Sequence, residues 1–353
     1  MDLKKHNRLL LYPRFNKLLI ILTTVAFIVA GLRAYQLYRY VFRDNVENPG
    51  TIIIPHRSDY EQVLDSLRIK KILRDEKAFR WVSRKKDYPA HIKAGKYRFD
   101  KGQNSNQLVN MLKAGNQAAV WIVFNNLRFM EELAGKVSRY IAADSSSLIA
   151  HLNDSAVIAK MGFNKHSFHA MFIPNTYQMY WTTTPEKFTE RMKKEYDRFW
   201  NSERKTKAKA INLTPVEVIT VASIVQEETI KPEEKPVVAG LYLNRIRNGM
   251  PLQADPTIKF ALGNFAIRRI LNKHLETDSP YNTYKYAGLP PGPINFPEIS
   301  SIDAVLNADK NDYLFMCARE DFSGYHNFAR THREHARNAK RYQDALNAQN
   351  IWE

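Results

Sequence analysis

The sequence predicts an α+β protein in three parts: an N-terminal transmembrane helix, a small α+β module over residues 50–115 and a larger mixed α+β domain over 116–350. Three observations carry that expectation. An uncharged apolar run fills residues 18–32. Short strand-like stretches alternate with capped amphipathic segments across residues 50–115. A further strand and two long helical patterns follow. At 353 residues the chain is long for one domain, which fits two folded units and an extra element. Its 44% apolar and 12% aromatic residues can build a core, which excludes a disordered chain.

The N-terminal run reads Leu-Leu-Ile-Ile-Leu-Thr-Thr-Val-Ala-Phe-Ile-Val-Ala-Gly-Leu. A crossing needs roughly 20 residues, so the span is placed at 18–38, with Arg33 snorkelling and Tyr35, Tyr38 and Tyr40 at the interface. Lys4, Lys5, Arg8, Arg14 and Lys17 precede the run, and Arg33, Arg39 and Arg43 follow it. The excess puts residues 1–17 in the cytoplasm and everything from about residue 45 outside it. A cleaved signal peptide is the competing reading. The tyrosine- and arginine-rich flank resembles a small-residue cleavage site less than an anchor's interface, which favours an uncleaved anchor. No cysteine follows the run, so a lipoprotein anchor is excluded.

In the small module, Thr51-Ile52-Ile53-Ile54-Pro55 reads as a strand. Ser58-Asp59-Tyr60-Glu61 reads as a capping box for a helix with Val63, Leu64 and Leu67 on one side. A second helix is expected from Asp75 to about Lys85, and Ile92 to Phe99 as a turn into a strand. Ser105 is expected to cap a third helix carrying Leu108, Met111 and Leu112.

The larger domain opens on a strand from Ala118 to Phe124. Thr184-Pro185 starts a helix with Phe188, Met192, Tyr196 and Phe199 along a core stripe. Asn201 to Lys209 is expected to be a polar, basic, exposed link. Thr214-Pro215-Val216-Glu217 is a capping box with proline in the first turn. The run behind it, Val218 to Val225, is apolar nearly all round, so this helix should be buried. It ends on Gln226-Glu227-Glu228-Thr229. At about 100° per residue, Glu228 lies on the side of Val221, Ile224 and Val225, and Glu227 is turned toward Thr220 and Ser223. A carboxyl at the open end of a buried helix is poorly solvated, which raises its pKa and lets it donate a proton near neutrality. An ordinary solvated glutamate is the bland alternative.

Net charge is +17, which nucleic acid, anionic lipid or an anionic wall polymer would each fit. The basic residues are scattered, as at Lys70-Lys71, Arg84-Lys85-Lys86 and Lys193-Lys194, without an arginine stripe interleaved with aromatics. With the anchor, this argues against a nucleic-acid partner. The lone Cys317 excludes internal disulfides and is expected as a small apolar filler. His326, His332 and His335 do not match a zinc spacing, and no metal or cofactor is expected.

Several ordered motifs carry a resemblance. Ala222-Ser223-Ile224-Val225-Gln226-Glu227-Glu228-Thr229 is followed by the stretch from Leu241 to Met250, then Leu252-Gln253-Ala254-Asp255-Pro256-Thr257. Tyr281-Asn282-Thr283-Tyr284 and Gly288-Leu289-Pro290-Pro291-Gly292-Pro293-Ile294 come next. Upstream stand Ala94 to Phe99 and Phe172-Ile173-Pro174-Asn175-Thr176-Tyr177; downstream stand His326-Asn327-Phe328 and His335. In this order they closely resemble the endolytic murein transglycosylase, or YceG-like, family, over nearly the whole chain.

The resemblance implies that residues 50–115 are a LysM-like module and 116–350 the catalytic domain. It puts the catalytic glutamate at Glu228, the second acidic position of an Ala-Ser-Ile-(Ile/Val)-Glu-x-Glu-Thr motif whose first is Gln226 here. Glu227 keeps a residual claim. Asn125-Asn126 departs from a Glu-Gly common in the family. Gln253, Asp255, Asn282, Tyr284 and His335 are the candidate substrate contacts. For each there is a structural alternative: a turn or cap for Asp255, and holding the loop for Asn282 and Tyr284. Asn244 and Arg245 are as well explained by a structural salt bridge.

The implied substrate is the peptidoglycan glycan strand, cut internally by lytic transglycosylation. The implied setting is the inner membrane, single-pass, with the catalytic domain periplasmic and peptidoglycan synthases as associates. A hydrolase pairing Glu228 with Asp255, and a non-catalytic wall-binding scaffold, are the alternatives.

Overall fold

The computed structural model describes residues 12–267 and 269–349. Most of the expected cytoplasmic tail, residues 1–11, lies outside them. The chain divides into two units: Trp121–Met179 with the stretch from Thr183 onward form the second, and Val120 and the residues before it, with Tyr180–Thr182, form the first.

The first unit begins with one long helix, Tyr12–Phe42 (α1). Its stretch Lys17–Phe42 is long and apolar enough to cross a membrane, and residues 17–35 of it are exposed. The helix runs directly into the folded module: Val41 packs against the module's core and the Tyr40 ring meets Trp81 at 6.3 Å.

The module is built from Gly50–Ile54 (β1), Tyr60–Ile69 (α2), Glu76–Lys85 (α3), Gly95–Phe99 (β2) and Ser105–Ala114 (α4). Strands β1 and β2 pair antiparallel, from Gly50 opposite Phe99 to Ile54 opposite Gly95. Ile52 and Ile54 point inward and Thr51 and Ile53 outward, the period-two alternation of a half-covered strand. Val63, Leu64, Leu67, Phe79, Tyr97, Phe99, Leu108 and Leu112 close the core beneath them.

Two expected caps are displaced by one residue. Asp59, not Ser58, caps α2, accepting from the Gln62 backbone N–H at 2.9 Å, while Ser58 donates to the Pro55 carbonyl. Asn104, not Ser105, caps α4. Ser105 instead turns inward and accepts from the buried Asn45 amide at 2.9 Å. In each, the winner is the side chain three residues ahead of a glutamine that reaches back to the cap's own N–H.

The second unit takes up the chain within Ala119–Phe124 (β3), which pairs with Asn175–Tyr180 (β4). Between them lie Met130–Val137 (α5), Ser145–Leu152 (α6) and Ser155–Lys160 (α7). Pro185–Phe199 (α8) buries Phe188, Met192 and Tyr196 as the stripe predicts, with Phe199 half-buried. The expected basic link is in fact a helix, Ser202–Ala210 (α9), capped by Asn201. Its lysines, arginine and alanines are good helix formers, and charge alone concealed that.

Pro215–Glu228 (α10) is the centre of this unit. Helices Lys235–Arg247 (α11), Asp255–Leu262 (α12) and Ile299–Leu306 (α14) pack on it, with Asn272–Leu275 (α13) in the intervening loop. Every residue from Val218 to Val225 is buried. Phe315–Ala318 (β5) and His326–Ala329 (β6) form an antiparallel hairpin against which His332–Ala348 (α15) packs. Gly292 is required by close approach: a Cβ there would sit 1.9 Å from the His166 carbonyl oxygen.

The N-terminus of α10 is fixed by a reciprocal cap, in which Thr214 N–H donates to Glu217 at 2.7 Å and Glu217 N–H to Thr214 Oγ1 at 3.3 Å. Thr214→Ala should cost about 1 kcal/mol, lowering the melting temperature by about 2–4 °C. An unchanged melting curve would contradict this account of the helix start.

Candidate active site

Helix α10 delivers three consecutive polar side chains to the place where it leaves the core, and each has a different fate. Gln226 accepts the Glu298 backbone N–H at 2.6 Å and the Ser301 hydroxyl at 3.1 Å, so it holds the start of α14. Glu227 has both oxygens engaged, one by the Arg128 guanidinium at 2.8 Å and the other by the Asn295 amide at 2.8 Å. Glu228 has one partner, the Tyr242 hydroxyl, which donates to Oε1 at 2.8 Å. Its second oxygen has no protein partner among the described residues.

Glu228 opens on a cleft of about 250 Å³ lined by Tyr242, Arg245, Gln253, Asp255, Tyr284 and His326, with Met316, Cys317 and Ala318 from β5. Burial pushes its carboxyl up to about 7, and the charge of Asp255 adds to this. The Tyr242 hydrogen bond, Arg245 and Lys259 pull the other way. The position at the C-terminus of α10, where helix carbonyls present partial negative charge, also disfavours the ionised form. The group is therefore a carboxylic acid that exchanges its proton near neutrality.

Tyr242 and Arg245 come from α11. Both are buried, and Arg245 spends its guanidinium on the Leu314 carbonyl at 2.7 Å and the Leu252 carbonyl at 2.6 Å. Asn244 donates to the Asn311 and Tyr313 carbonyls. Among the described residues neither makes the salt bridge that the sequence left open; both clamp the segment entering β5 to α11.

The sequence-chosen residues divide. Gln253 lies at the cleft in a left-handed conformation (φ +51°), its N–H donating to the Thr283 carbonyl at 3.0 Å. Asp255 is the first residue of α12 and accepts the Tyr284 hydroxyl at 2.5 Å. Glu228, Gln253, Asp255 and Tyr284 thus share one cleft. Asn282 does not reach it. It is fully buried, its amide donating to the Leu275 and Thr277 carbonyls and its oxygen accepting the Tyr284 and Lys285 N–H groups. All its polar groups are spent holding the loop that presents Tyr284. His335 is also outside the cleft lining, stacked on Phe315 at 5.4 Å. Cys317, expected as buried filler, is half-buried and lines the cleft.

Two functional candidates escape the sequence reading, Tyr242 and Glu234, and His326 stands there only within a motif and as a rejected metal ligand. Tyr242 carried a signal, since a phenol amid the apolar residues of a buried helix needs a hydrogen-bond partner. Glu234 had none, because only the fold brings β6 and His326 back to the start of α11.

Comparison with known proteins places the chain. The model of the YceG-like family matches residues 52–341. An endolytic murein transglycosylase of Bacillus subtilis (strain 168) is 30% identical over 314 residues, covering 84% of this chain and 85% of that one. An endolytic murein transglycosylase of Streptococcus pneumoniae serotype 2 (strain D39) is 26% identical, covering 90% of this chain but 63% of that protein. The chain therefore spans less than two thirds of the pneumococcal relative. A crystal structure of a YceG-like protein from Listeria monocytogenes superposes with a TM-score of 0.54 at 25% identity, covering 82% of this chain and 98% of that one. The chain belongs to the YceG-like family.

The raised Glu228 pKa has a stability consequence of definite sign. Between the ordinary value of 4.5 and about 7 the folded protein holds a proton that the unfolded chain has lost. Stability therefore falls as pH rises through that window. Glu228→Gln removes the effect. Its stability advantage over the wild type should grow from pH 4.5 to about 7 and level off above, by on the order of 3 kcal/mol. Denaturant melts across pH check this; a constant difference would contradict it.

Proposed function

We propose that this member of the YceG-like family cuts peptidoglycan glycan strands internally, as an endolytic lytic transglycosylase with Glu228 as both acid and base. The observation that carries the reading is the single carboxyl with a pKa of about 7 and one free oxygen at the cleft. The names of the curated relatives, endolytic murein transglycosylases, support the substrate and reaction class.

In this mechanism protonated Glu228 donates to the oxygen joining N-acetylmuramic acid to the next N-acetylglucosamine. The carboxylate so formed takes the proton from the muramic acid's own 6-hydroxyl, which attacks the anomeric carbon. The glycosidic bond breaks, a 1,6-anhydro end forms and no water is consumed. Tyr242, donating to Oε1, steadies the carboxylate between the two transfers. Glu227, with both oxygens engaged, is assigned a structural role. Gln253, Asp255 and Tyr284 would hydrogen-bond or stack on the sugars, Asn282 would act only through the loop, and His335 would act from behind Phe315.

The rest of the chain fits the same task. The βααβ order of the module, with its antiparallel pair, supports a LysM-like unit that grips glycan. Helix α1 supports a single-pass anchor with the N-terminus cytoplasmic and the domains outside. This would confine cutting to strands made near the bilayer, where peptidoglycan synthases would be neighbours. A second reading is favoured by one observation. Asp255 supplies another carboxyl to the cleft, and a water-using glycosidase works with two.

Mass spectrometry of the products separates the two: anhydro-muramic ends for transglycosylation, reducing ends for hydrolysis. Glu228→Gln should abolish cutting with the fold intact by circular dichroism; full activity would sink the assignment. Wild-type activity should fall as pH rises through about 7, because the acid must be protonated. Tyr242→Phe removes a hydrogen bond that favours the ionised form, so it should move that limb to higher pH; a shift to lower pH would contradict the role given to Tyr242.

A further inference from the structure

An acid–imidazole pair, of which His326 lines the cleft and Glu234 holds it, is left unused by the mechanism above. Glu234 is 5% exposed and stands immediately before α11. Three donors converge on its carboxylate: the Thr229 hydroxyl at 3.1 Å, the His326 backbone N–H at 2.7 Å and His326 Nδ1 at 2.9 Å. With a carboxylate oxygen as its neighbour, Nδ1 is the donor. In the neutral ring the other nitrogen, Nε2, then presents a lone pair. Nε2 has no protein partner among the described residues, and His326 lines the same cleft as Glu228.

The arrangement is more than a latch. The His326 backbone N–H and the Thr229 hydroxyl alone would tie β6 to the turn after α10. Neither needs an imidazole. What the imidazole adds is an oriented neutral acceptor in a cleft where Tyr242 already donates to Glu228, Tyr284 donates to Asp255, Arg245 is spent on backbone carbonyls and the Gln253 side-chain oxygen accepts from Arg245 at 3.4 Å. A pyranose ring brings several hydroxyl donors and an acetamido N–H to such a place. One of them must be held for the scissile oxygen to meet Glu228 in a reactive geometry.

We propose that His326 is a second functional residue of the cleft. Its Nε2 accepts a hydrogen bond from a hydroxyl or acetamido N–H of the sugar held at Glu228, and Glu234 is the positioning residue that fixes its tautomer. This rests on the reading of Glu228 as the catalytic acid. Thr229, joining Glu228 in sequence to Glu234 in space, keeps the two halves of the site in register.

The test compares the full-length chain in detergent with its Glu228→Gln, His326→Leu, His326→Gln and Glu234→Gln variants, on uncrosslinked glycan strands. Melting temperatures are recorded for each. His326→Leu should lose roughly tenfold to a hundredfold in kcat, with little change in melting temperature because the backbone bond to Glu234 remains. His326→Gln places an amide oxygen near the position of Nε2 and should recover part of that loss. Glu234→Gln should lower kcat with a smaller effect on KM. Wild-type kcat in His326→Leu beside an inactive Glu228→Gln would overturn the proposal alone. Equal losses in His326→Leu and His326→Gln that track their melting temperatures would also overturn it, in favour of a latch. An active Glu228→Gln would overturn the reading on which it rests.

Discussion

The site depends on one constraint: α10 is apolar on nearly every side and must be buried to its last turn. Three polar side chains then emerge together at its end, Glu227 toward solvent and Gln226 and Glu228 half-buried, and each polar atom withdrawn from water must find a partner or bear the cost of desolvation. Gln226 and Glu227 find theirs on the segment leading into α14, the latter with Arg128 as well. Glu228 finds a single phenol and is left next to the negative charge of Asp255 at the negative end of a helix. The carboxyl is destabilised as an anion by the same packing that holds the domain together. Stability given up at that residue is what makes it an acid at neutral pH.

Around that point the fold supplies a frame, with Asp255 as the other carboxyl of the cleft. Helix α11 runs alongside α10 and contributes Tyr242 to the carboxyl and Arg245 to the backbone of two loops. The buried Thr283 hydroxyl and Asn282 amide set the loop that carries Tyr284 against Asp255. Residues chosen for their chemistry and residues that hold them are neighbours in sequence here: Asn282 and Tyr284 are two apart, yet one is sealed and the other lines the cleft.

What could be read from the sequence follows from the range of the interactions. Helix α10 was legible because its start is a local capping box and its burial is a local composition; Glu228 was legible as its last carboxyl. The β1–β2 strands and the α8 stripe were legible for the same reason. The caps at Asp59 and Asn104 were misplaced by one residue because Ser, Asp and Asn compete locally for the same role. Helix α9 was missed because its charged face resembles a solvated link. Tyr242, Glu234 and His326 depend on contacts made across α11 and back from β6, which no local pattern encodes. Asn282 and Tyr284 were grouped as one motif, and only packing separates the loop-holder from the cleft residue.

The central claim is that Glu228 is a protonated acid near neutral pH, and its own titration tests that most directly. Carbon-13 NMR of the glutamate side-chain carboxyls in the folded chain, with Glu228→Gln to assign the signal, gives the value without reference to any assay. A midpoint near 7 is the predicted result. A midpoint at the ordinary carboxylate value of 4.5 would contradict the account.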